Sequence, residues 1–519
     1  MDLDLAFFTG LFFDTFFNYW WVILPAIFLG IIVGAIPGFS AANTIIILLP
    51  LTLAMGEEMG LMFMVALYCS SRLGAGIPAI LVNIPGTAGA AATPLDGYPL
   101  TQKGMGPQAL SISFVSSNIG GLLTTIVVLF TMQYIIELVY VLHSVEMIVI
   151  MLFGISLIAT IAAKDTLKGL IAGFFGLMIG YIGADVIYET PRGTFGFLEL
   201  YDKVPLIPAL VGLFAISEAF LIIERKSILS KAGQEKMINS TWGDTFEGAG
   251  IAFKRWWHIV WTSQIGLIIG VIPGAGAAIA SFVAYQQSKT FSKTPELYGT
   301  GHYEGLIAPE SANNGVTSGT LVPLLVIGIP GGATAAIMLV VLQYHGTTVG
   351  PDLFMEKPEL AYGVFTAMLL TYMMMLPAGF PLARYMSRVT MVPTRYVTPI
   401  IIAFTLVGSF VPRGYVFVMN VALVFGIIGY IARKTDYHVA AILIGVILGP
   451  MLENFFIIAL RMSKGDVMTI FSSTTGNVLW VCLVLSLILP YLKEWRKSRK
   501  ADRDAIHKGE AAEQGGTTE

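Results

Sequence analysis

Apolar runs long enough to cross a lipid bilayer recur along nearly the whole chain, and they limit its fold more than any other feature. Leu122 to Val141 and Leu206 to Ile223 are two examples. A helix needs about 20 apolar residues to span the hydrocarbon core of a bilayer. Only 12% of the 519 residues are charged, whereas about 25% is usual in soluble domains. The sequence therefore predicts an all-α polytopic membrane protein that contacts lipid over much of its surface.

Charge and cysteine content exclude several other classes of protein. The net charge of −3 leaves no basic surplus for nucleic acid, so no nucleic-acid partner is expected. The two cysteines, Cys69 and Cys482, lie in or beside apolar stretches and are too few for a disulfide framework. We expect them to pack as small side chains, and we expect no organic cofactor.

Basic residues divide the chain into four parts. The interval from Glu224 to His258 contains six Lys and Arg residues, and basic loops are retained in the cytoplasm. The segment that begins at Lys493 is also basic, and it then becomes polar and rich in glycine. The predicted parts are a first membrane repeat at 1–223, a cytoplasmic linker at 224–258, a second membrane repeat at 259–492 and a basic, then disordered, cytoplasmic tail at 493–519.

Each half contains two Pro-Gly interruptions of an apolar stretch, in the same order. The first is the pair Pro37-Gly38, which Pro273-Gly274 matches 236 positions later. The second is Pro85-Gly86, which Pro330-Gly331 matches 245 positions later. Because the acidic N-terminus is expected outside and the linker inside, the halves enter the membrane from opposite sides. The sequence predicts two inverted-topology repeats with broken helices or re-entrant hairpins.

Such interruptions are predicted to form an anion site. Proline removes one backbone donor and glycine permits non-helical angles, so each break exposes polar backbone. In hydrocarbon such groups must be satisfied by protein, water or a ligand. A helix that begins at a break presents unpaired N–H groups, which suit a carboxylate. The predicted substrate-binding residues are Pro37, Gly38, Ser40, Asn43, Thr44, Pro85, Gly86, Thr87, Pro273, Gly274, Gly276, Asn313, Asn314, Pro330, Gly331, Gly332 and Thr334.

Three roles remain open on the residues alone. Oxygen atoms near the breaks suit a sodium ion, with Ser40, Asn43, Asn83, Ser311 and Asn314 as its predicted ligands. Arg72 is equally compatible with an anion contact and with a lipid-headgroup or loop position. Glu310 is compatible with proton relay and with capping of a helix. The spaced glycines Gly169, Gly173, Gly176 and Gly180 indicate helix packing rather than a site.

At these motifs the chain resembles the large membrane subunit of the bacterial tripartite tricarboxylate transporters, the TctA family. Four stretches carry the resemblance: Gly34 to Pro50, Asn83 to Tyr98, Gly270 to Gln286 and Ala308 to Gly331. The chain departs from the family pattern at Tyr68 to Gly74, which is less rich in glycine and contains an arginine.

The resemblance implies a bacterial inner-membrane carrier driven by a sodium or proton gradient. It implies two further components, a small membrane subunit and a periplasmic solute-binding protein. The family pattern selects Gly38, Ser40, Asn43, Gly86 and Thr87 in the first half. In the second half it selects Gly274, Gly276, Asn313, Asn314, Gly331 and Thr334.

The function we expect is uptake of small organic anions, such as di- or tricarboxylates, by an elevator-like carrier. The N-terminus is expected in the periplasm and the C-terminus in the cytoplasm, and a homo-oligomer is possible. The alternatives are a membrane-embedded enzyme and an anion channel. An enzyme is not expected, because the six histidines are scattered and form no His-Glu-x-x-His motif.

Overall fold

The fold is helical, and several of its helices have the length and apolar character of membrane spans. The computed structural model describes residues 5–36, 40–139, 142–152, 166–184, 190–224, 242–273, 276–386, 399, 402–403, 405–407, 409–410, 413–485 and 488. Among these residues, six helices are long and apolar enough to cross a membrane. The predicted all-α membrane protein is confirmed at this level. A short antiparallel pair, β1 (Gly183–Ala184) and β2 (Pro191–Arg192), joins two loop segments.

The first half of the chain is helical on both sides of its second interruption, Pro85-Gly86. The predicted span from Leu206 to Ile223 is two α-helices joined by a π-helical turn, Gly212–Ile216. The described helices are α1 (Leu5–Gly34), α2 (Ala41–Ile47), α3 (Leu49–Ala54), α4 (Glu57–Val82), α5 (Pro94–Gln102), α6 (Gly106–Val139), α7 (144–152), α8 (Thr166–Gly180), α9 (Leu206–Val211) and α10 (Ser217–Glu224).

The second half begins within the predicted linker. Residues 225–241 of that linker lie outside the described residues, as does the whole predicted tail, 493–519. The described helices are α11 (Trp242–Lys254), α12 (Trp256–Val271), α13 (Gly276–Phe291), α14 (Tyr303–Ile327), α15 (Ala333–Tyr344), α16 (Pro351–Glu356), α17 (Pro358–Met386), α18 (Val416–Lys434), α19 (Val439–Met462) and α20 (Thr474–Leu485).

These helices form two packed groups. The core bundle contains α1, α4, α6, α11, α12, α13, α14 and α17, with α14 packed between α6 and α12. The outer bundle contains α8, α9, α10, α18 and α19, which pack on one another. The short helices α2 and α15 touch both groups. They are the helices that follow the first interruption of the first half and the second interruption of the second half.

Contacts of the first half recur in the second half at the spacing of the interruptions. Gly34 of α1 lies against the backbone of Ser71 in α4, and Gly270 of α12 lies against the backbone of Val316 in α14. A β-carbon at any of these glycines would collide with the neighbouring backbone, so only glycine permits the helices to approach this closely. The two halves therefore share a packing arrangement as well as a sequence pattern.

The ends of α4 and α14 are also built alike. Asn83 ends α4 with a left-handed φ of 59°, and Gly328 ends α14 with a φ of 74°. The next residue donates its N–H to a proline carbonyl in both cases, Ile84 to Pro78 at 3.3 Å and Ile329 to Pro323 at 3.1 Å. Left-handed caps of this kind satisfy carbonyls that a helix end leaves free. The pattern makes the chain turn sharply at both interruptions.

After each cap the chain turns back along the helix that it has just left. Gly86 lies beside Ala75 of α4, and Gly331 lies beside Thr320 of α14. The first segment then returns to the end of α4, where Thr101 donates to the carbonyl of Ile80 at 2.8 Å. We call residues 83–102 the first re-entrant segment and residues 328–350 the second. The sequence left broken helices and re-entrant hairpins as two options, and entry and exit at one face of the membrane stays a prediction.

α4 and α14 cross in antiparallel directions. The Tyr68 hydroxyl lies 3.1 Å from the Thr320 hydroxyl, and the Arg72 guanidinium donates to Asn313 at 3.3 Å. Along this contact, the residue numbers increase in α4 while they decrease in α14. The corresponding helices of the two halves therefore point in opposite directions.

A buried carboxylate fastens the first re-entrant segment to the start of α14. Asp96 accepts the backbone N–H groups of Gly299, Gly301 and His302 at 2.7 to 2.9 Å. It also accepts the hydroxyl of Tyr285 at 3.0 Å. Three backbone donors and a hydroxyl offset the cost of burying this charge. The contact joins the two halves of the chain.

Candidate functional site

The crossing of α4 and α14 places a half-buried cation inside the core bundle. The guanidinium of Arg72 lies over the ring of Tyr68, 5.1 Å from its centroid, and donates to the Tyr68 hydroxyl at 3.1 Å. It also donates to the Asn313 side chain. In the described part of the chain, no carboxylate oxygen lies within 4.0 Å of Arg72. Its place within α4 excludes the loop position that the sequence left open.

The first re-entrant segment approaches this cation through a glycine. A β-carbon at Gly89 would collide with the Asn313 side chain and would lie 2.7 Å from the Arg72 guanidinium. The Gly89 carbonyl accepts the hydroxyl of Ser281 on α13. Backbone from one half thus meets side chains from both halves at a single place.

A fully buried carboxylate lies near this cluster. Glu310 of α14 accepts hydrogen bonds from Ser113 at 2.9 Å and Ser117 at 2.8 Å, both on α6. It also accepts the hydroxyl of Thr93, at the start of α5 in the first re-entrant segment. Glu310 is 0% exposed. Its position in the middle of α14 excludes the helix-capping role that the sequence left open.

Three polar atoms of predicted site residues are buried without a hydrogen-bond partner. They are Asn43 Oδ1, Thr87 Oγ1 and Asn314 Nδ2. Asn43 is 3% exposed and Asn314 is 0% exposed. Leaving a buried polar atom unpaired costs about 1–3 kcal/mol, and a bound ligand would remove this cost.

The other predicted residues of the first half lie around the two interruptions. Pro37 and Gly38 lie outside the described residues. Ser40 caps α2, where its hydroxyl accepts the Asn43 N–H, and the Thr44 hydroxyl donates to the Ser40 carbonyl. Gly86 packs against the carbonyl of Gly34, which brings the two interruptions of the first half together. Pro85 is half-buried beside it.

The second half repeats this grouping. A β-carbon added at Gly331 would lie 3.0 Å from the Gly270 carbonyl oxygen. The two interruptions of this half therefore also meet. Pro330 and Thr334 are buried, and Gly332 is half-buried. Pro273 is half-buried, Gly276 begins α13 with a φ of +69°, and Gly274 lies outside the described residues.

The five predicted sodium ligands occupy different surroundings. Asn83 is exposed at the end of α4. Ser311 faces α12, where its hydroxyl lies 2.7 Å from that of Thr262. The Asn314 carbonyl oxygen atoms lie 3.4 Å from the Tyr372 hydroxyl of α17. Ser40 and Asn43 share the start of α2. Among the described residues, no hydrogen bond joins these four surroundings, and the sodium site stays a prediction.

Residue-level sequence reasoning missed several side chains at the crossing. Five residues contact Arg72, Asn313 or Glu310 and were not predicted as site residues: Tyr68, Gly89, Thr93, Ser113 and Ser117. A signal for two of them was present, because Ser113 and Ser117 lie four residues apart in an apolar run and so share one face of α6. Tyr68 lies one helical turn before Arg72, but its second partner, Thr320, and the partner of Thr93, Glu310, lie in the other half, where no local pattern identifies them.

A cavity of about 370 Å³ lies outside the core bundle, between α15 and the outer bundle. Lys203 and Arg413 line it together with Asp202, Gln343 and Tyr344. Its walls include none of the predicted site residues. We therefore place the candidate site at the crossing of α4 and α14.

Comparisons with known proteins agree with this picture of a membrane carrier. Residues 21–444 match the model of the "Tripartite tricarboxylate transporter TctA family". A protein of Agrobacterium vitis, "Uncharacterized 52.8 kDa protein in TAR-I ttuC' 3'region", is 29% identical over 507 residues, which are 97% of this chain and 99% of the relative.

A second protein of the same organism, "Uncharacterized protein in TAR-II ttuC' 3'region", is 33% identical over 237 residues. These are 44% of this chain and 97% of that relative. No solved structure matches the chain. The family model covers most of the sequence, including all four interruptions, and the chain belongs to the tripartite tricarboxylate transporter TctA family.

Proposed function

We propose that this protein is a secondary carrier that brings small organic anions, di- or tricarboxylates or related carboxylates, into the cell. The observation that carries the proposal is the Arg72 guanidinium, half-buried at the crossing of α4 and α14 and bonded to Asn313. A cation inside a membrane protein favours a partner of opposite charge. A substrate carboxylate provides that charge, and the planar guanidinium binds carboxylates through two parallel hydrogen bonds.

The substrate site we propose lies between the two re-entrant segments. Asn43 and Thr87 each hold a buried oxygen without a partner, and Asn314 holds a buried amide nitrogen without one. Substrate hydroxyl and carboxylate groups have the donors and acceptors that these atoms need. The amides of Asn313 and Asn314 follow each other on α14, so one faces Arg72 while the other faces Tyr372.

The transport mechanism we propose is an elevator built on two inverted repeats. The antiparallel crossing of α4 and α14 and the recurring contacts of Gly34 and Gly270 support the inverted arrangement. In this mechanism the core bundle moves with its re-entrant segments against the outer bundle, which stays fixed. The site is thereby exposed to one side of the membrane at a time.

The partner subunits, the membrane location and the driving gradient that we propose follow from the family. The word tripartite implies two further components, here a small membrane subunit and a periplasmic solute-binding protein that delivers substrate. The N-terminus lies in the periplasm and the C-terminus in the cytoplasm of a bacterial inner membrane. A sodium or proton gradient drives uptake, and the chain assembles as a homo-oligomer.

Reconstitution of the protein into liposomes, together with its partner subunits, tests the proposed function. We expect saturable uptake of at least one radiolabelled acid from a panel of di- and tricarboxylates, dependent on an imposed gradient. Electrical conductance without saturation would establish a channel instead. Chemical conversion of the acid without a gradient would establish an enzyme. Absence of gradient-dependent uptake across the panel would refute the proposal.

A further inference from the structure

The cavity between α15 and the outer bundle is polar at its mouth and apolar inside. Its polar residues lie at helix ends, with Lys203 shortly before α9, Arg413 shortly before α18 and Tyr344 at the end of α15. Its apolar walls come from within the helices and include the buried Val446 and Ile447 of α19. The volume of about 370 Å³ lies within the range of about 300–1,000 Å³ of pockets that hold small molecules. The cavity therefore suits a molecule with one polar and one apolar end.

The mouth of the cavity carries a surplus of positive charge. Among the described residues that line it, two are cations, Lys203 and Arg413, and one is a carboxylate, Asp202. In the described part of the chain, neither cation has a carboxylate oxygen within 4.0 Å. Arg413 donates to the Tyr415 hydroxyl at 3.1 Å, which leaves its positive charge uncompensated. The mouth therefore favours an anion.

The backbone holds Lys203 in a conformation that few lysines adopt. Its φ of +69° is left-handed, which is unfavourable for a residue with a β-carbon. A β-carbon at Gly183 of β1 would lie 2.7 Å from the Lys203 α-carbon. β1 pairs with β2, whose Arg192 binds Glu453 of α19 at 2.7 Å. The loop before α9 is thus tied to the outer bundle, and backbone strain of this kind is concentrated at binding sites.

We propose that this cavity binds an anionic phospholipid, with its phosphate group between Lys203 and Arg413 and an acyl chain against α9 and α19. Basic pockets between membrane helices attract anionic lipid headgroups, and hydrocarbon that covers the apolar walls is stabilised by burial. A small carboxylate or a free phosphate ion satisfies the cations but leaves those walls uncovered. The cavity lies apart from the crossing of α4 and α14, and this inference does not depend on the proposed transport function.

The bound lipid connects two parts of the molecule. Gln343 and Tyr344 belong to α15 in the second re-entrant segment, whereas Lys203 and Arg413 lie in loops that lead into helices of the outer bundle. A lipid in the cavity therefore adds contacts between the second re-entrant segment and the outer bundle. Because a ligand of the folded state stabilises it, we also expect added lipid to raise the unfolding temperature.

Native mass spectrometry of the purified full-length chain tests the proposal by measuring its affinity for phosphatidylglycerol. We expect Lys203→Ala combined with Arg413→Ala to weaken binding by about 30-fold, since each cation near a lipid phosphate contributes a factor of about five. The matched control is Arg461→Ala combined with Lys464→Ala. These two cations do not line the cavity, and Lys464 also has a left-handed φ, of 56°. Unchanged affinity in the cavity variant, or an equal loss in the control, overturns the proposal.

A variant that binds lipid more tightly keeps the test independent of folding. Asp202→Asn removes the negative charge at the mouth, so binding of phosphatidylglycerol should strengthen by up to about fivefold. A misfolded protein would not gain affinity for a lipid. Unchanged or weaker binding by Asp202→Asn overturns the electrostatic argument.

Competing ligands separate a lipid from a free anion. Phosphatidylcholine with the same acyl chains should bind more weakly, because its headgroup has no net charge. Inorganic phosphate and the acids of the transport panel should leave bound phosphatidylglycerol in place, because they have no acyl chain. Displacement by phosphate would establish a phosphate-ion site, and displacement by a carboxylate would place the cavity on the substrate path. Either result overturns the lipid assignment, whereas a failure of the transport assay does not affect it.

Discussion

The helices of the core bundle and those of the outer bundle pack against one another through different kinds of contact. In the outer bundle, Gly176 and Gly180 of α8 face Gly445 and Gly449 of α19, and the helices touch through their backbones. In the core bundle, α4 and α14 meet through Tyr68, Arg72, Asn313 and Thr320. Close backbone packing gives rigidity without polar groups, whereas buried polar side chains cost stability unless they have a use. The contrast favours our proposal that the outer bundle gives support and the core bundle binds the substrate.

The largest expected effect is at the cation of the core bundle. Arg72→Ala should lower the rate of gradient-driven carboxylate uptake by about 10- to 150-fold, because a hydrogen bond to a charged group contributes about 1.5–3 kcal/mol. Arg72→Lys should recover part of the rate, since it restores the charge but not the planar donor pair. Uptake by the reconstituted complex measures both variants.

The exposed Arg461 at the end of α19 provides the matched control in the outer bundle. Arg461→Ala should transport normally. Equal losses in Arg72→Ala and Arg461→Ala would remove the functional distinction between the bundles.

The next effect separates function from stability at one residue. Asn43→Ala should reduce uptake at least about tenfold while leaving the free energy of unfolding unchanged or slightly raised. The reason is that Asn43 Oδ1 has no partner to lose, and burying it unpaired costs about 1–3 kcal/mol. Uptake and denaturation in SDS are measured on the same preparation. Asn477→Ala in α20, whose amide donates to the Phe471 carbonyl, should leave uptake intact. Normal uptake by Asn43→Ala would exclude it from the site.

The glycines of the outer bundle should show the opposite behaviour. A β-carbon at Gly445 would lie 2.7 Å from the backbone nitrogen of Leu177, so Gly445→Ala forces α8 and α19 apart. We expect a loss of about 1–3 kcal/mol in the free energy of unfolding. Gly250→Ala in α11 meets nothing within 4 Å and should instead stabilise its helix by up to about 1 kcal/mol. If Gly445→Ala is as stable as the unmodified protein, backbone contact is not what holds the outer bundle.

The smallest effect is expected at a partly exposed ion pair on the rim of the core bundle. Lys357 lies 2.9 Å from Glu57, with side-chain exposures of 45% and 20%. Glu57→Gln should cost at most about 1 kcal/mol of stability, and the difference should shrink in high salt. Denaturation in SDS at two salt concentrations measures it. A larger loss that salt does not reduce would mean that the rim contributes as much as the interior.

The sequence predicted those parts of the fold that depend on local pattern. Apolar runs predicted helices long enough to cross a membrane, and two Pro-Gly motifs predicted breaks where the chain turns after α4 and α14. The glycine spacing in α8 indicated the helix contact that Gly176 and Gly180 make. These features follow from the composition and spacing of neighbouring residues. The local sequence is therefore enough to predict these features.

The chemistry at the crossing was less accessible, because its partners lie far apart along the chain. Arg72 meets Asn313, and Glu310 meets Thr93, across the two halves. The register of two crossing helices depends on which residues are small enough to allow contact, and periodicity does not encode it. For the same reason, a residue such as Arg72 has two equally good interpretations until the depth and face of its helix are known.

The contact of Asp96 with the loop that begins α14 has a consequence for biosynthesis. The first half leaves the ribosome before residues 299–302 exist, and its carboxylate then has none of the three N–H donors that it holds in the finished protein. Until those donors are synthesised, burying an ionised Asp96 would leave it without these hydrogen bonds, at a cost in free energy. The contact that joins α5 to the start of α14 therefore forms only after parts of both halves have been translated.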